Sequence, residues 1–331
     1  MPRGLTRAPS GRLTNLQLLL ALLLTFATGV GAVATGSERG RWVVIGHGVA
    51  AAIVVVLIPW KARVVRAGLP LHRYARWPSL LLTLLTLTAL VLGVAHSTGL
   101  VADLLWWHIA VALGLVPLLL WHLVVRWVRP RRTDASRREV MRLGVLGVIG
   151  AVLYAVVPAG SGKRFTGSYE VASFAPDRMP NVIWLDDTVP VIRSDSWRLS
   201  IVDGDGAYEL DLSALRASGV ETWRAILDCT SGWYSDQDWT GVKVARLLRS
   251  RGSARSLLVH SATGYWVRLP LSDLDTLLLA TEVGGRPLSA GHGFPLRLVA
   301  PGRRGYWWVK WVDRIELEST PAWWQPPFPV T

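Results

Sequence analysis

Five long apolar runs occupy the first half of the chain, at residues 15–35, 42–60, 78–100, 104–127 and 142–158. Each is close to the length that crosses a hydrocarbon core of about 30 Å at about 1.5 Å per residue. The pattern predicts five transmembrane helices, the fifth being the shortest and least apolar. From residue 159 the texture changes to short runs broken by Gly, Pro and Asp turns. Residues 197–202 and 207–212 flank Asp203-Gly204-Asp205-Gly206, a hairpin signal. Strands are predicted over 222–229, 256–261, 265–269, 294–299 and 307–316. Helices are predicted over 213–218, 242–249 and 271–279, and an irregular arm over 321–331. The expected architecture is an all-α transmembrane helical bundle followed by a mixed α+β soluble domain. The boundaries fall as 1–130 for four membrane helices, 131–158 for a basic linker and the fifth helix, and 159–331 for the soluble domain. No internal repeat or low-complexity tract stands out in that last part.

Charge sharpens this picture. The 331 residues carry a formal net charge of +13, with 51% hydrophobic and 18% charged residues and a mean hydropathy of +0.33. Residues 1–158 hold 17 of the 36 Lys and Arg but only 4 of the 23 Asp and Glu, so the whole excess sits in the apolar half. Fifteen of those 17 lie before the first run, between the second and third, or between the fourth and fifth. By the positive-inside rule those segments are cytoplasmic. The N-terminus is then cytoplasmic, and five spans place the C-terminal domain outside the plasma membrane. The basic residues flank hydrophobic runs rather than forming a soluble face, which excludes nucleic acid as a partner and makes the lipid bilayer one. The single cysteine, Cys229, excludes an intramolecular disulfide, a Cys-rich zinc or iron–sulfur site and c-type haem attachment.

Five of the seven histidines fall in the apolar half: His47, His72, His96, His108 and His122. Ionisable groups at membrane depth are costly and usually functional, and neutral imidazole is a good axial iron ligand. His47, His96 and His108 sit near the outer ends of three runs. His108 and His122 are fourteen residues apart, about four turns, and so share a helix face about 21 Å apart. An interfacial role beside Trp42, Trp60, Trp106, Trp107, Trp121 and Trp127 is the competing reading. The sequences His47-Gly48, Pro59-Trp60-Lys61 and Trp106-Trp107-His108 resemble bacterial membrane-bound b-type cytochromes. That resemblance implies one or two haems b. The outer ligands would be His47 with His108, or with His96 as competitor, and the inner ones His72 with His122.

Ser136-Arg137-Arg138-Glu139-Val140-Met141 precedes the fifth run and has the form of a twin-arginine export signal. Plain positive-inside charge also accounts for it. The export route carries folded domains, which a domain loaded with its cofactor in the cytoplasm would need.

In the C-terminal half, Cys229 sits in Asp228-Cys229-Thr230-Ser231-Gly232-Trp233, followed by Trp239-Thr240-Gly241-Val242 and Leu247-Leu248. A second block runs Gly291-His292-Gly293-Phe294-Pro295-Leu296-Arg297, Pro301-Gly302, Lys310-Trp311-Val312 and Arg314-Ile315-Glu316. A third is Thr166-Gly167-Ser168-Tyr169-Glu170. Together these resemble the molybdopterin-binding domain of the sulfite oxidase family, in the family's order, over nearly all of 160–318. The soluble domain is thus expected to be of the sulfite oxidase molybdopterin-binding type. A thiolate is a soft ligand suited to a transition metal, and the resemblance implies that Cys229 binds molybdenum and is the catalytic centre's protein ligand. It further implies contacts to Mo-molybdopterin from Thr166, Tyr169, Glu170, Thr263, His292, Arg297, Trp308, Val309 and Lys310, with Lys310 at the phosphate end. No GxGxxG precedes a helix, so nicotinamide has no support.

These residues point to a membrane-anchored molybdenum oxidoreductase that transfers oxygen atoms to or from a small substrate and exchanges electrons with membrane quinone through haem b. The alternatives are a redox-relay or binding protein with a degenerate molybdopterin fold, and an enzyme on a plain anchor. Substrate, direction, haem number and oligomeric state are not legible.

Overall fold

A computed structural model of the chain describes residues 10–68, 76–98, 104–125, 129, 131, 134, 136–157, 162–183 and 187–326. The chain divides into two compact units: Met1–Val33 with Arg39–Gly167, and Ala34–Glu38 with Ser168–Thr331.

The first unit is helical: α1 Gly11–Ala34, α2 Arg41–Gly68, α3 Arg76–Thr98, α4 Leu104–Val125 and α5 Arg137–Val156. Among the described residues these five are long and apolar enough to cross a membrane. Helices α2, α3 and α5 begin at arginines just before the apolar runs, because helical backbone bonding continues through polar flanks that hydropathy leaves out. α2 packs on α5, and α3 on α4. Glycine makes the first contact possible. A side chain on Gly150 would lie 2.8 Å from Ile53 and 3.0 Å from the Val49 carbonyl, and one on Gly48 would overlap the Tyr154 ring. Small residues commonly set close approach between apolar helices. Polar groups on these helices find local partners: Thr25, Thr83, Thr86 and Thr88 return their hydroxyls to the carbonyl four residues back. Lys61 donates to Asn15 Oδ1 at 3.0 Å.

The second unit holds two sheets. Its elements are β1 Tyr169–Glu170, β2 Leu199–Asp203, β3 Gly206–Leu210, α6 Leu212–Ala217, β4 Val220–Asp228, β5 Trp233–Lys243, α7 Val244–Leu247, β6 Ser256–Ser261, β7 Trp266–Pro270, β8 Leu278–Val283, β9 Arg286–Pro287, β10 Arg297–Val299 and β11 Val312–Glu318. One sheet runs β1-β5-β8-β10, with β4 on β5 and β9 on β8; the other runs β3-β2-β11-β6-β7. β4 and β5 form a long antiparallel pair from Val220↔Val242 to Asp228↔Tyr234. The turn joining them carries Cys229. Trp239, Leu278, Leu279, Ala280, Leu296 and Leu298 are fully buried in the first sheet, and Leu199, Ile201, Val259, Val267 and Ile315 in the second.

The mixed α+β reading and the β2–β3 hairpin agree with this structure, but three local expectations do not. The helix expected at 242–249 is a single turn, since Val242 and Lys243 complete β5. The helix expected at 271–279 is a 3-10 turn, Leu271–Thr276, followed by β8. A wholly buried run such as Leu277-Leu278-Leu279-Ala280 has no polar face, so periodicity cannot separate strand from helix there. The strands expected at 294–299 and 307–316 shrink to Arg297–Val299 and Val312–Glu318, which leaves both flanking segments as loops.

Gly241 sits at the β5–β8 irregularity, where a Cβ would lie 2.1 Å from the Leu279 carbonyl oxygen and 2.5 Å from Ala280 Cα. Backbone cannot yield as a side chain does. Gly241→Ala is therefore expected to destabilise the second unit by at least about 3 kcal/mol. Thermal unfolding of the purified chain should show its transition lowered by about 6–12 °C.

Candidate functional site

Cys229 is buried and follows the last residue of β4. Its N–H donates to the Trp233 carbonyl at 2.8 Å, and its carbonyl accepts from Gly232 N–H at 3.1 Å. Gly232 turns the chain at φ +99°, a conformation that glycine adopts without penalty. Arg304 buttresses this turn. Its Nη2 donates to the Cys229 carbonyl at 2.9 Å, and its Nε lies 3.5 Å from Asp228 Oδ1. Asp228 Oδ1 also accepts from Ser168 Oγ at 2.7 Å. Gly305 allows the close approach, because a Cβ there would stand 3.0 Å from Cys229 Cα. The thiol is thus held on a rigid turn, with Ser231 Oγ 3.1 Å from Sγ.

Two cations bear on it. Arg297, on β10, is 2% exposed. Its guanidinium lies 5.2 Å from the Trp239 ring centre and 5.8 Å from that of Trp308, and the two indoles meet edge-on at 5.5 Å. Such stacking suits a weakly hydrated, planar cation. Its Nη1 donates to the His292 carbonyl at 3.3 Å, while its buried Nε has no hydrogen-bond partner. Among the described residues no carboxylate pairs with it. Burial pushes its pKa down to about 10, against the opposing pull of negative charge on Cys229. Lys310 is pushed down to about 7 by burial and then by Arg297, again opposed by Cys229 and also by Asp187. Its Nζ donates to Asn181 Oδ1 at 2.7 Å, the Val182 carbonyl at 2.9 Å and the Gly291 carbonyl at 2.6 Å.

His292 completes the cluster as a neutral group. Burial, then Arg297 and Lys310, pushes its pKa down to about 4. Its Nε2 donates to the Met179 carbonyl at 3.1 Å, so Nδ1 is the acceptor for Ser289 Oγ at 2.7 Å. Gly293, at φ +106°, follows it, and a Cβ there would lie 3.2 Å from both Arg297 Cβ and Lys310 Cα. Trp311 is held at φ +52° by its indole N–H on the Ala290 carbonyl at 2.7 Å and by its carbonyl accepting from Ala262 N–H at 2.9 Å. Strained backbone of this kind clusters at functional sites.

The other expected contacts fall variously. Trp308 is buried and forms part of the Arg297 platform, and Val309 is buried in the core. Thr263 sits in the β6–β7 turn and donates to Asp187 Oδ2 at 3.1 Å. Tyr169 enters the sheet beside Trp233, and Glu170 is exposed. Thr166 is buried and belongs to the first unit. Sequence reasoning missed Arg304, Trp239, Asn181, Gly293 and Gly305. The glycines within Gly291-His292-Gly293 and beside Arg304 were the available signal.

In the first unit, His47 on α2 and His108 on α4 are brought together, with ring centres 5.9 Å apart and planes 88° to each other. His47 Nδ1 bonds the Thr25 carbonyl and His108 Nδ1 the Ala89 carbonyl, each at 2.9 Å. A carbonyl only accepts, so both Nδ1 atoms carry the hydrogen and both Nε2 atoms keep a lone pair. His96 is placed otherwise, with its ring against Gly167. His122 lies fourteen residues beyond His108, about 21 Å along α4. His72 lies outside the described residues.

Residues 186–324 match the family model of the oxidoreductase molybdopterin binding domain. By this match the second unit carries a segment similar to oxidoreductase molybdopterin-binding domains. That segment contains Cys229, Thr263, His292, Arg297, Trp308, Val309 and Lys310 but not Thr166, Tyr169 or Glu170. The uncharacterized oxidoreductase YuiH of Bacillus subtilis is 35% identical over 109 residues, covering 30% of this chain and 54% of the relative. Mitochondrial sulfite oxidase of Rattus norvegicus is 29% identical over 167 residues, covering 40% of this chain and 31% of the relative. The sulfane dehydrogenase SoxCD of Paracoccus pantotrophus aligns in structure at TM-score 0.37 and 22% identity, over 40% of each chain. The chain thus spans about half or less of the curated relatives it matches.

Gly293→Ala is expected to cost about 1–3 kcal/mol through left-handed strain and to separate Arg297 from Lys310. The expected readout is a lowered thermal transition together with reduced molybdenum per polypeptide after purification. Unchanged metal content would contradict the placement of Gly293 at the cofactor cradle.

Proposed function

We propose that the chain is a membrane-anchored, molybdenum-dependent oxidoreductase. It acts outside the cytoplasm on a small substrate by oxygen-atom transfer of the sulfite or sulfoxide type, and exchanges electrons with membrane quinone through haem b. The observation that carries the reading is Arg297, a guanidinium 2% exposed, without a carboxylate among the described residues and with an unpartnered Nε, beside the only cysteine. A buried charge costs several kcal/mol unless an opposite charge meets it. The anionic pterin phosphate and a metal-bound thiolate are the charges that fit.

Mo-molybdopterin, when bound, supplies two-electron oxygen-atom-transfer chemistry. The protein's part is placement and charge. Cys229 offers a soft thiolate ligand from a turn fixed by Arg304 and Gly305. Arg297 gives directional donors to an anion. Lys310 ties the Asn181–Val182 and Gly291 segments together and, with its pKa about 7, adds positive charge there in its protonated form. His292, neutral above its pKa of about 4, holds the Met179 loop without adding charge. Tyr169, Glu170, Thr166, Thr263, Trp308 and Val309 stand as further cofactor contacts on the family resemblance.

The first unit fits a haem. Two imidazoles sharing one metal at about 2 Å per metal–nitrogen bond have ring centres about 6 Å apart, close to the 5.9 Å between His47 and His108. Metal-binding histidines characteristically give their other ring N–H to a carbonyl, as both do. Haem b, when bound there, supplies one-electron transfer. His108 rather than His96 is the proposed partner of His47, because the His96 ring lies against Gly167. The positive-inside pattern supports five spans with the second unit extracytoplasmic, and Ser136-Arg137-Arg138 at the start of α5 suits export of a folded, cofactor-loaded domain.

The test is elemental molybdenum plus a reduced-minus-oxidised spectrum on the detergent-purified full chain. Near one molybdenum per polypeptide and a b-type band are expected. Cys229→Ser should abolish turnover with sulfite or a sulfoxide. Arg297→Gln should weaken cofactor retention about tenfold to a hundredfold, the effect of losing a charged hydrogen bond of about 1.5–3 kcal/mol. His47→Ala and His108→Ala should each remove the b-type band while molybdenum remains. Haem without molybdenum in the wild type would overturn the catalytic reading.

A further inference from the structure

The two histidines are held by one device used twice. His47 Nδ1 bonds the carbonyl of Thr25, and four residues later on α1 comes Gly29. His108 Nδ1 bonds the carbonyl of Ala89, and four residues later on α3 comes Gly93. A Cβ on Gly29 would stand 3.2 Å from His47 Cε1 and 3.3 Å from Nδ1; a Cβ on Gly93 would stand 3.2 Å and 3.3 Å from the same atoms of His108. The likeness extends along the partner helices. Trp60-Lys61 follows His47 by thirteen and fourteen residues, and Trp121-His122 follows His108 by the same spacing. The same residue spacing thus recurs on α1–α2 and on α3–α4, although the two helix pairs pack differently.

Helix geometry gives the reason for the glycines. Each helical side chain leans toward the N-terminus, so residue i+4 covers the carbonyl of residue i. With glycine at i+4 no Cβ covers that carbonyl, and it can accept from an imidazole of the neighbouring helix; on α1 the Thr25 carbonyl also accepts from Thr28 Oγ1 at 3.2 Å. The bond made there fixes the tautomer and the plane of the ring. Two copies facing each other set two planes, here 88° apart.

We infer that Gly29 and Gly93 are positioning residues for the paired axial ligands: each exposes one helix carbonyl that orients one imidazole, and together they fix the angle between the ligand planes. The assignment rests on the haem reading above.

The experiment uses the full-length chain in detergent, with electron paramagnetic resonance of the oxidised haem and a potentiometric titration. Gly29→Ala and Gly93→Ala are compared with wild type and with Gly114→Ala, a control on α4 where a Cβ meets nothing within 4 Å. The added methyl forces each ring to move by a few tenths of an ångström. The expected result is a wild-type low-spin signal of the type given by near-perpendicular ligand planes, shifted in both alanine variants along with the midpoint potential. Gly114→Ala should match wild type. Loss of haem from both alanine variants while they elute as the wild type does would also support the assignment. Signals and potentials identical to wild type in both, with haem retained, would overturn it while leaving the haem reading intact. A wild-type chain that binds no haem would instead overturn the reading on which it rests.

Discussion

A buried guanidinium with no acidic partner among the described residues organises the second unit. Arg297 is enclosed by Trp239 and Trp308, and among the described residues it donates a hydrogen bond to the His292 main-chain carbonyl. Keeping such a charge out of water costs several kcal/mol, so the surrounding fold is built around holding it in place. The sheet β1-β5-β8-β10 supplies Trp239 from β5 and Arg297 from β10. The turn after β4 supplies Cys229, and Arg304 locks that turn from behind. Lys310 lies close enough for burial and the charge of Arg297 to depress its pKa. The fold thus concentrates positive charge on one thiol, an arrangement suited to an anionic cofactor with a soft metal.

The first unit follows a different economy. Helices in an apolar setting satisfy their own backbone, so a carbonyl available to a side chain of another helix is unusual. Glycine at positions 29 and 93 creates two of them, and a histidine takes each. The same absence of side chains lets α2 and α5 pack closely at Gly48 and Gly150. In both units glycines stand beside the candidate side chains, at Gly293 and Gly305 in one and at Gly29 and Gly93 in the other.

Much of this was legible in the sequence, for reasons that differ by region. The membrane-length helices announced themselves because apolar length alone marks them; their polar flanks escaped, at residues 11–14 of α1, at the first turns from Arg41, Arg76 and Arg137, and at residues 61–68 of α2. The β2–β3 hairpin was carried by Asp203-Gly204-Asp205-Gly206. The central strand β5 was not legible: its inward positions include Ser235 and Gln237, which are fully buried but polar and bonded to the Ala172 carbonyl. Hydropathy reads such a strand as loop. Cys229, Arg297 and Lys310 came from resemblance, since isolated cations and one thiol carry no spacing rule. Arg304 and Trp239 stayed hidden because their roles arise from packing across the sheet. The recurring spacing of Gly29 and His47 with Gly93 and His108 was missed because only a few residues repeat, and the apolar ones between them are interchangeable.

The claim on which the rest depends is that Cys229 is a metal ligand and not merely a small buried side chain. X-ray absorption at the molybdenum edge of the purified chain tests it most directly. The account predicts sulfur scattering from one thiolate beyond the pair that the pterin dithiolene supplies. A first shell with the dithiolene sulfurs alone would contradict it.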